Sequence, residues 1–310
     1  MHWYQLFAAL NAIVRDSTIN ELISGKVMKS MGTVKEIWRY PVKGMAGEKV
    51  EHCNISALGL KGDRNWALRD IARQEIQSCK FRPELLLCGA TSRENSADPH
   101  VDITFPDGTT LGSDDPSINQ SLSELVGHES SLERLELNTD LSFFRRYQGA
   151  QQGWLEELKG TFTREGSEPY PDFSDLPEEV ETYVTVPGSF FLVSPFHIIT
   201  TATLAYCRQK LPEADWSIQR FRPNLIIDTG FQTTGLLEQS WIDKRITIAN
   251  LAVDCTGTTP RCGAITRAQQ GLPFDKSMLR TVIKEAQQNL GIYGSIVEAG
   301  LIRVGDSIEG

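Results

Sequence analysis

The chain has 310 residues, enough for about two domains, and its formal net charge at pH 7 is −9. An acidic chain repels the phosphate backbone, so we expect no nucleic-acid partner. No apolar run approaches the roughly 20 residues that span a bilayer, and the first ten residues lack the features of a secretory signal, which favours a cytoplasmic protein over a membrane protein.

Residues 1–31 are predicted to form an N-terminal extension. Apolar residues recur there at helical spacing, at Trp3, Phe7, Leu10 and Val14. This pattern indicates a short helix that either packs on the protein or extends from it without tertiary contacts. An extension with little structure is the alternative. The polar face carries little positive charge, which argues against an anchor at a membrane surface.

The pattern becomes rich in β-strands from Thr33 onward. In the first half we predict strands over 33–38, 48–56, 65–69 and 132–137, a hairpin over 101–111 and a short helix over 117–126. The stretch 163–187 is rich in proline and acidic residues and lacks periodicity. We therefore predict an N-terminal β-barrel-like domain over 32–162, followed by a linker or covering loop over 163–187.

The second half, residues 188–310, is predicted to be another β-barrel domain. Strands are expected over 189–193, 197–199, 224–227 and 245–249, with two short strands between 294 and 309. One helix is predicted from a cap at Thr201 to about Leu211, and another from a cap at Asp275 to Leu290. Many strands with few helices, and no alternation of strand and helix, indicate a mainly β protein with some α (an α+β fold) built from barrels.

Cys262 directly follows Arg261 in a segment that we place in a loop between two strands. A guanidinium group favours the thiolate form of a neighbouring thiol, and a thiolate attacks electrophiles and binds soft metals. The alternative is a small buried apolar residue. A disulfide or two-cysteine site with Cys255 is a further alternative, although the six cysteines are scattered without a CxxC pattern, as expected of reduced thiols.

Several basic residues occur in unusual local contexts. Lys43 and Arg64 stand beside glycines, where the backbone can approach a ligand closely. Arg222 precedes a proline, so we expect an extended backbone that directs its side chain, with Asn224 on the same face. The alternative for each is a surface salt bridge. Together, the cations and one candidate thiolate suggest a pocket for an anionic cofactor that carries a metal.

Six short segments carry a resemblance to a known family. In chain order they are Tyr40-Pro-Val-Lys-Gly44, Gly59-Leu-Lys-Gly-Asp-Arg-Asn-Trp66, Ser194-Pro-Phe196, Arg220-Phe-Arg-Pro-Asn224, Pro260-Arg-Cys262 and Arg303-Val-Gly-Asp306. From about residue 32 to 310 the chain resembles the MOSC family, with a MOSC N-terminal β-barrel before the MOSC domain. Within the family it is similar to the mitochondrial amidoxime-reducing component and its bacterial relatives.

The resemblance implies a site for the molybdenum cofactor, a molybdopterin. It makes Cys262 the metal ligand and the catalytic residue, and it assigns cofactor binding to Lys43, Arg64, Ser194, Arg222, Asn224, Arg261 and Tyr293. One departure is Gly44, where the reducing enzymes often have a small hydroxyl or thiol residue.

The implied activity is the reduction of N-oxygenated small molecules of the amidoxime or hydroxylamine type. Electrons would come from a separate protein of the ferredoxin or cytochrome b5 type, because the chain has no iron–sulfur or flavin motif. Two alternatives stay open. The chain could carry the cofactor, or sulfur as a Cys262 persulfide, without redox turnover, or it could be a non-enzymatic β-barrel adaptor.

Overall fold

A computed structural model describes residues 30–93, 99–136, 140–149, 153–166, 168–170, 179–231 and 233–310. The helix expected within residues 1–31 falls outside these ranges. The described part is mainly β with a few helices, which confirms the predicted fold class. None of the helices described is long and apolar enough to cross a membrane.

The strands are numbered in chain order. They are β1 (Ser30–Arg39), β2 (Glu48–Val50), β3 (His52–Ser56), β4 (Gly59–Leu60), β5 (Trp66–Asp70), β6 (Glu75–Ile76), β7 (Gly89–Arg93), β8 (His100–Thr104), β9 (Thr110–Gly112), β10 (Ser130–Arg134), β11 (His197–Thr200), β12 (Leu225–Asp228), β13 (Arg245–Ile248), β14 (Leu251–Pro260), β15 (Asn289–Glu298), β16 (Gly300–Arg303) and β17 (Ser307–Glu309). The α-helices are α1 (Ile118–Val126), α2 (Trp154–Gly160), α3 (Glu179–Thr182), α4 (Thr201–Lys210) and α5 (Ser277–Ala286).

Seven strands close into a barrel in the order β1, β12, β11, β15, β14, β13, β17 and back to β1. Strand β1 pairs with β12 from Thr33 opposite Asp228, and with β17 from Ser30 opposite Glu309. Closure removes the exposed edges that an open sheet of this size would present. The barrel interior holds a fully buried apolar cluster that includes Val34, Ile198, Leu225, Val253 and Ile292.

One unit of the barrel departs from the sequence-based expectation. Strands β11 and β12 are parallel, and α4 makes the connection between them, so the chain does contain a strand–helix–strand unit. The hydroxyl of Thr200 accepts a hydrogen bond from the Thr203 amide, which caps the helix one residue before the predicted Thr201. Helices α4 and α5 bury their apolar faces in a second cluster outside the barrel.

The N-terminal half forms two three-stranded sheets, β10–β5–β6 and β7–β8–β9. They share a core with α1 that includes Val42, Met45, Leu68, Leu85 and Leu122. A third sheet, β16–β3–β4, joins this half to the C-terminal tail. The segments that carry Lys43 and Arg64 are therefore fixed between the two halves of the protein.

Some predicted elements are wrong in extent or type. The stretch 189–193 is not a strand, because Phe190 and Phe191 are both buried while Leu192 and Val193 are both exposed, which breaks strand alternation. Helix α5 ends at Ala286, not at Leu290, because the next residue is left-handed and β15 begins at 289. Strand β10 covers 130–134, and the ten-residue strand β14 was not predicted.

Candidate functional site

Cys262 lies where β14 leaves the barrel. Its backbone is extended, and a single 3₁₀ turn, Gly263–Thr266, follows it. The thiol is free and half-buried. The amide of Gly263 donates to the Thr161 carbonyl at 2.8 Å, so the segment after α2 holds the turn from outside. The predicted loop position of Cys262 is correct, and its thiol is partly accessible to a ligand.

Cys255 occupies a different environment. It is 2% exposed and belongs to the apolar cluster inside the barrel. Burial raises the pKa of its thiol to about 12, so it stays protonated. All six cysteines are free, and no disulfide joins Cys255 to Cys262. Cys255 therefore has the surroundings of a small core residue.

Asp63 is the carboxylate that organises the segment between β4 and β5. It is 2% exposed and accepts hydrogen bonds from the Tyr40 amide at 2.7 Å and from the Asn224 side chain at 3.0 Å. It also forms a salt bridge with Arg64. Asp63 thus connects the loop after β1, its own turn and the start of β12 in one buried contact.

Arg64 and Arg222 lie against the same aromatic ring. The guanidinium carbon of Arg64 is 4.7 Å from the centroid of the Tyr40 ring, and that of Arg222 is 4.3 Å away. Arg222 also donates to the Met45 carbonyl. Its φ of 54° is left-handed, so the extended backbone expected before the proline is wrong. Contacts with Tyr40 and Met45 fix the direction of this side chain instead.

Lys43 is a buried cation, 8% exposed, whose Nζ donates to the Phe190 carbonyl at 2.8 Å. Burial lowers its pKa from 10.5 to about 7; the Cys79 thiol opposes this change, and nearby cations such as Arg64 add to it. The ammonium is therefore close to losing its proton at neutral pH in the absence of a ligand. An anion bound beside it would favour the charged form.

Cys79 is a site residue that sequence reasoning missed. Its Cβ is 3.3 Å from the position that a Cβ at Gly44 would take, so Cys79 packs directly against the residue that follows Lys43. Burial raises the pKa of its thiol, Arg222 lowers it, and Cys262 raises it, which places Cys79 within electrostatic reach of both. The sequence held a signal, because Cys79 precedes Lys80 as Cys262 follows Arg261.

Arg261 uses its guanidinium group within the protein. It donates to the Phe221 carbonyl and to the Leu290 carbonyl, each at 2.9 Å, and its third nitrogen lies 2.7 Å from Nε2 of His197. Burial, aided by Arg261, holds the pKa of His197 well below its usual range, so the neutral ring accepts this bond. Arg261 therefore fixes the end of β14 that presents Cys262.

Of the remaining predicted site residues, two bind the backbone around the site and one lies at the site itself. Asn224 is 1% exposed, and its side chain bonds to the His197 amide, to the Trp38 carbonyl and to Asp63. Ser194 donates to the Gly294 carbonyl at 3.1 Å. Tyr293 is half-buried, and its pKa is raised by burial, lowered by Arg261 and raised by Cys262. Tyr293 thus lies at the site, whereas Asn224 and Ser194 hold the backbone around it.

Arg220 is a further supporting residue. It is 2% exposed, and its guanidinium group donates to four carbonyls, those of Asp215, Ile265, Arg267 and Pro273. Three of these acceptors follow Cys262 in the chain. Arg220 therefore anchors the downstream side of the Cys262 turn.

The basic cluster, defined as Lys43, Arg64, Arg222 and Arg261, holds more positive than negative charge. Among the described residues, Arg64 has the salt-bridge partner Asp63, and the other three have no carboxylate partner. Glu238 acts on Arg261 from a longer range, but burial raises the pKa of that carboxyl group. A buried excess of cations is stabilised when an anion binds.

These residues fit a molybdopterin. Its phosphate suits the basic cluster, and a soft metal suits the thiolate of Cys262. Within the part of the chain described, no group of three or more His, Cys, Asp or Glu side chains is placed to hold a metal ion. A metal bound by Cys262 would therefore take its other ligands from the cofactor.

The depressed pKa of Lys43 predicts a pH dependence of stability in cofactor-free protein. Between pH 7 and 10.5 the unfolded chain keeps this proton and the folded protein does not, so the free energy of unfolding should rise with pH across this window. From pH 7.5 to 9.5 the Lys43 contribution is expected to be roughly 2 kcal/mol. Urea denaturation of wild type and Lys43→Met at pH 7.5 and 9.5 gives the change in the free energy of unfolding with pH for each protein. The difference between the two changes measures the Lys43 contribution, and equal changes would contradict the prediction.

Comparisons with known proteins find a family match in each half of the chain. The family model described as the MOSC N-terminal beta barrel domain matches residues 31–136, and that of the MOSC domain matches residues 187–309. The chain is 25% identical to mitochondrial amidoxime reducing component 2 of Macaca fascicularis and 24% identical to that of Homo sapiens. Each comparison covers 91% of this chain and 84% of the relative.

Solved structures give remote resemblances. The YUAD protein from Bacillus subtilis has a TM-score of 0.42 at 11% identity, covering 91% of this chain and 97% of that one. YiiM from Geobacillus stearothermophilus has a TM-score of 0.28 at 11% identity, covering 37% of this chain and 53% of that one. The two family matches identify the chain as a MOSC protein, with a MOSC N-terminal β-barrel domain followed by a MOSC domain.

Proposed function

We propose that this protein is a molybdenum-cofactor-dependent reductase of N-oxygenated small molecules, such as amidoximes or hydroxylamines. The observation that carries the proposal is the half-buried thiol of Cys262 beside a cluster of buried and half-buried cations that outnumber their carboxylate partner. The distant relatives named amidoxime reducing component support it over most of the chain's length. The substrate class and the redox activity come from that likeness together with the site chemistry.

Each residue has a distinct part in the proposed site. Cys262 supplies the thiolate ligand of the metal. Arg222 and Arg64, held against Tyr40, bind the anionic part of the cofactor, and Lys43 gains its full charge when that anion is present. Tyr293 lies near Cys262, where its phenol can donate a hydrogen bond. Arg261 positions Cys262 through the backbone at Leu290 and Phe221.

When bound, the molybdenum cofactor supplies the two-electron chemistry that removes oxygen from the substrate. The protein binds and orients the reactants, and its buried cations compensate negative charge at the site. Electrons come from a separate protein of the ferredoxin or cytochrome b5 type. Because the chain is acidic overall, we expect that donor to dock at a local basic or apolar patch.

A carrier of sulfur is the second candidate, and the position of Cys79 favours it specifically. A thiol within electrostatic reach of Cys262 could receive sulfur from a Cys262 persulfide. Metal and pterin analysis of the purified protein, followed by turnover with a reducing dye and an amidoxime, separates the two functions. Molybdenum near one per chain with amidine formation supports the reductase, whereas a cyanide-labile sulfur without turnover supports the carrier.

Arg222→Ala is expected to affect cofactor affinity more than folding. A charge-assisted hydrogen bond to an anion is worth about 1.5–3 kcal/mol, so cofactor binding should weaken at least about tenfold, while the lost bond to Met45 lowers stability by about 1 kcal/mol.

Arg220→Ala, two residues earlier, is the matched control for that variant. Its four bonds to carbonyls predict a larger loss of stability than in Arg222→Ala. Pterin content measures the expected loss of cofactor binding in Arg222→Ala, and urea denaturation of both variants measures the expected larger loss of stability in Arg220→Ala. Wild-type pterin content in Arg222→Ala would show that this side chain does not bind the cofactor.

A further inference from the structure

A cavity of about 360 Å³ lies beside the Cys262 turn, between the two halves of the protein. Gly263 and Ala264, which follow Cys262, form part of one wall. Ser78 and Lys80, which flank Cys79, form part of the facing wall. The chain neighbours of both thiols therefore line the cavity, although Cys79 and Cys262 themselves are not among its lining residues, and none of the roles assigned above uses it.

The cavity is lined by cations that lack salt bridges. They are Arg73, Lys80, Arg82, Arg146 and Arg267. Among the described residues, none of the five has a carboxylate partner. Arg146 donates instead to the carbonyls of Val180 and Tyr183. These charges come from both halves of the protein and surround one space.

The carboxylates of the lining do not balance these cations. Asp70 faces His128 at 3.3 Å, and Glu156 pairs with Lys159 at 2.7 Å. Glu75 and Glu157 remain, and burial raises the pKa of Glu75. Five cations thus share the lining with four carboxylates, of which Glu156 has a lysine of its own outside the lining, so the positive charge is in excess. In a chain with a net charge of −9, this excess of positive charge is local to the cavity.

Two further residues describe the shape and polarity of a ligand. Phe81 lines the cavity and is 42% exposed, so it offers a flat apolar surface to a planar group. Gln77 also lines the cavity and is 7% exposed. Its Nε2 donates a hydrogen bond to the hydroxyl of Ser130, and that hydroxyl in turn donates to the His128 carbonyl. The Oε1 of Gln77 is buried and has no hydrogen-bond partner among the described residues, and an N–H or O–H donor of a ligand would satisfy it.

We propose that this cavity binds the substrate, and that it selects planar N-oxygenated compounds that carry a carboxylate or phosphate group. The proposal rests on the proposed reductase function. The anionic group lies among Lys80, Arg82 and Arg267, the planar part contacts Phe81, and the N-hydroxyl end is directed toward Cys262. Selectivity for an anion then comes from residues of both domains.

Equilibrium binding without a reductant tests the proposal apart from turnover. The probes are benzamidoxime and its para-carboxylate and para-phosphonate derivatives, titrated calorimetrically into the purified full chain. We expect each anionic probe to bind about tenfold more tightly than the neutral one at low salt, in line with one charge-assisted contact. The preference should shrink in 0.5 M salt, and the stronger of the two anionic probes identifies the preferred group.

Three variants locate the effect. Lys80→Gln and Arg267→Gln, one on each wall, should each remove most of the anion preference, while Lys35→Gln, an exposed charge on β1, should leave it unchanged. Using both walls keeps the test valid if one variant folds poorly. Equal affinities for neutral and anionic probes, or an unchanged preference in both wall variants, would overturn the proposal. If the probes bind as expected but no reduction follows, the reductase function fails and the anion-selective cavity remains.

Discussion

Cys262→Ala is expected to lose molybdenum and all reductase activity. Even the loss of an outer-shell partner weakens metal binding by about 10–100-fold, so removal of the thiolate itself should reduce the metal content at least about tenfold. The half-buried position of this residue means that alanine leaves no large cavity, and the fold should persist. Metal analysis of the purified variant, with far-ultraviolet circular dichroism, measures both effects.

Cys255→Ala is the matched control for that experiment. Its thiol lies in the apolar core of the barrel, so the variant should keep its molybdenum and lose only a modest amount of stability. Wild-type metal content and turnover in Cys262→Ala would refute the ligand assignment, and Cys79 would then be the next thiol to replace.

Asp63→Ala is expected to destabilise the protein strongly. Removing one partner of a buried ion pair costs about 3–5 kcal/mol, because the other charge is left without compensation. Here the loss also leaves the Tyr40 amide and the Asn224 side chain without their acceptor. Urea denaturation should show a correspondingly lower midpoint, and Asp63→Asn, which keeps an acceptor oxygen, should lose less.

Asp254→Ala is the matched control for a carboxylate in an ion pair. Asp254 pairs with Arg245, but both side chains are more than 40% exposed, and such pairs contribute about 0–1 kcal/mol. If Asp63→Ala and Asp254→Ala lowered the free energy of unfolding equally, Asp63 would have no special part in joining the two halves.

Strand periodicity predicted most of the barrel, and it failed where tertiary contacts decide the conformation. Strands β1, β12 and β13 alternate or are continuously apolar, and the sequence indicates them correctly. Helical spacing continues past Ala286 to Leu290, but the left-handed Gln287 turns the chain, and Leu290 packs in β15 instead. The start of β15 is determined by its pairing with β14, and such a pairing leaves no local signal in the sequence.

For the site, residue type predicted which side chains come together better than it predicted their contacts. Cys262 and the cations Lys43, Arg64 and Arg222 are buried or half-buried near one another, as the sequence suggested. Arg261 shows the limit of prediction from residue type, because a basic residue beside the thiol is equally suited to binding a cofactor and to donating hydrogen bonds to backbone carbonyls. Only the hydrogen-bond acceptors seen in the folded structure distinguish these two roles. Cys79 was missed because its local signal, the neighbouring Lys80, does not show that its loop lies close to that of Cys262.

The position of β1 has a consequence for how the protein is made. This strand is synthesised first among those described, yet its neighbours in the barrel are β12 and β17, whose residues leave the ribosome roughly 200 and 280 residues later. Only its last three residues gain an early partner, β2, so the remainder of β1 stays unpaired until β12 and β17 have been synthesised, and a chaperone can bind it during that time. The barrel that presents Cys262 closes only when β17 pairs with β1 and β13, so a cofactor that needs the closed barrel can bind only after residue 309 has been synthesised.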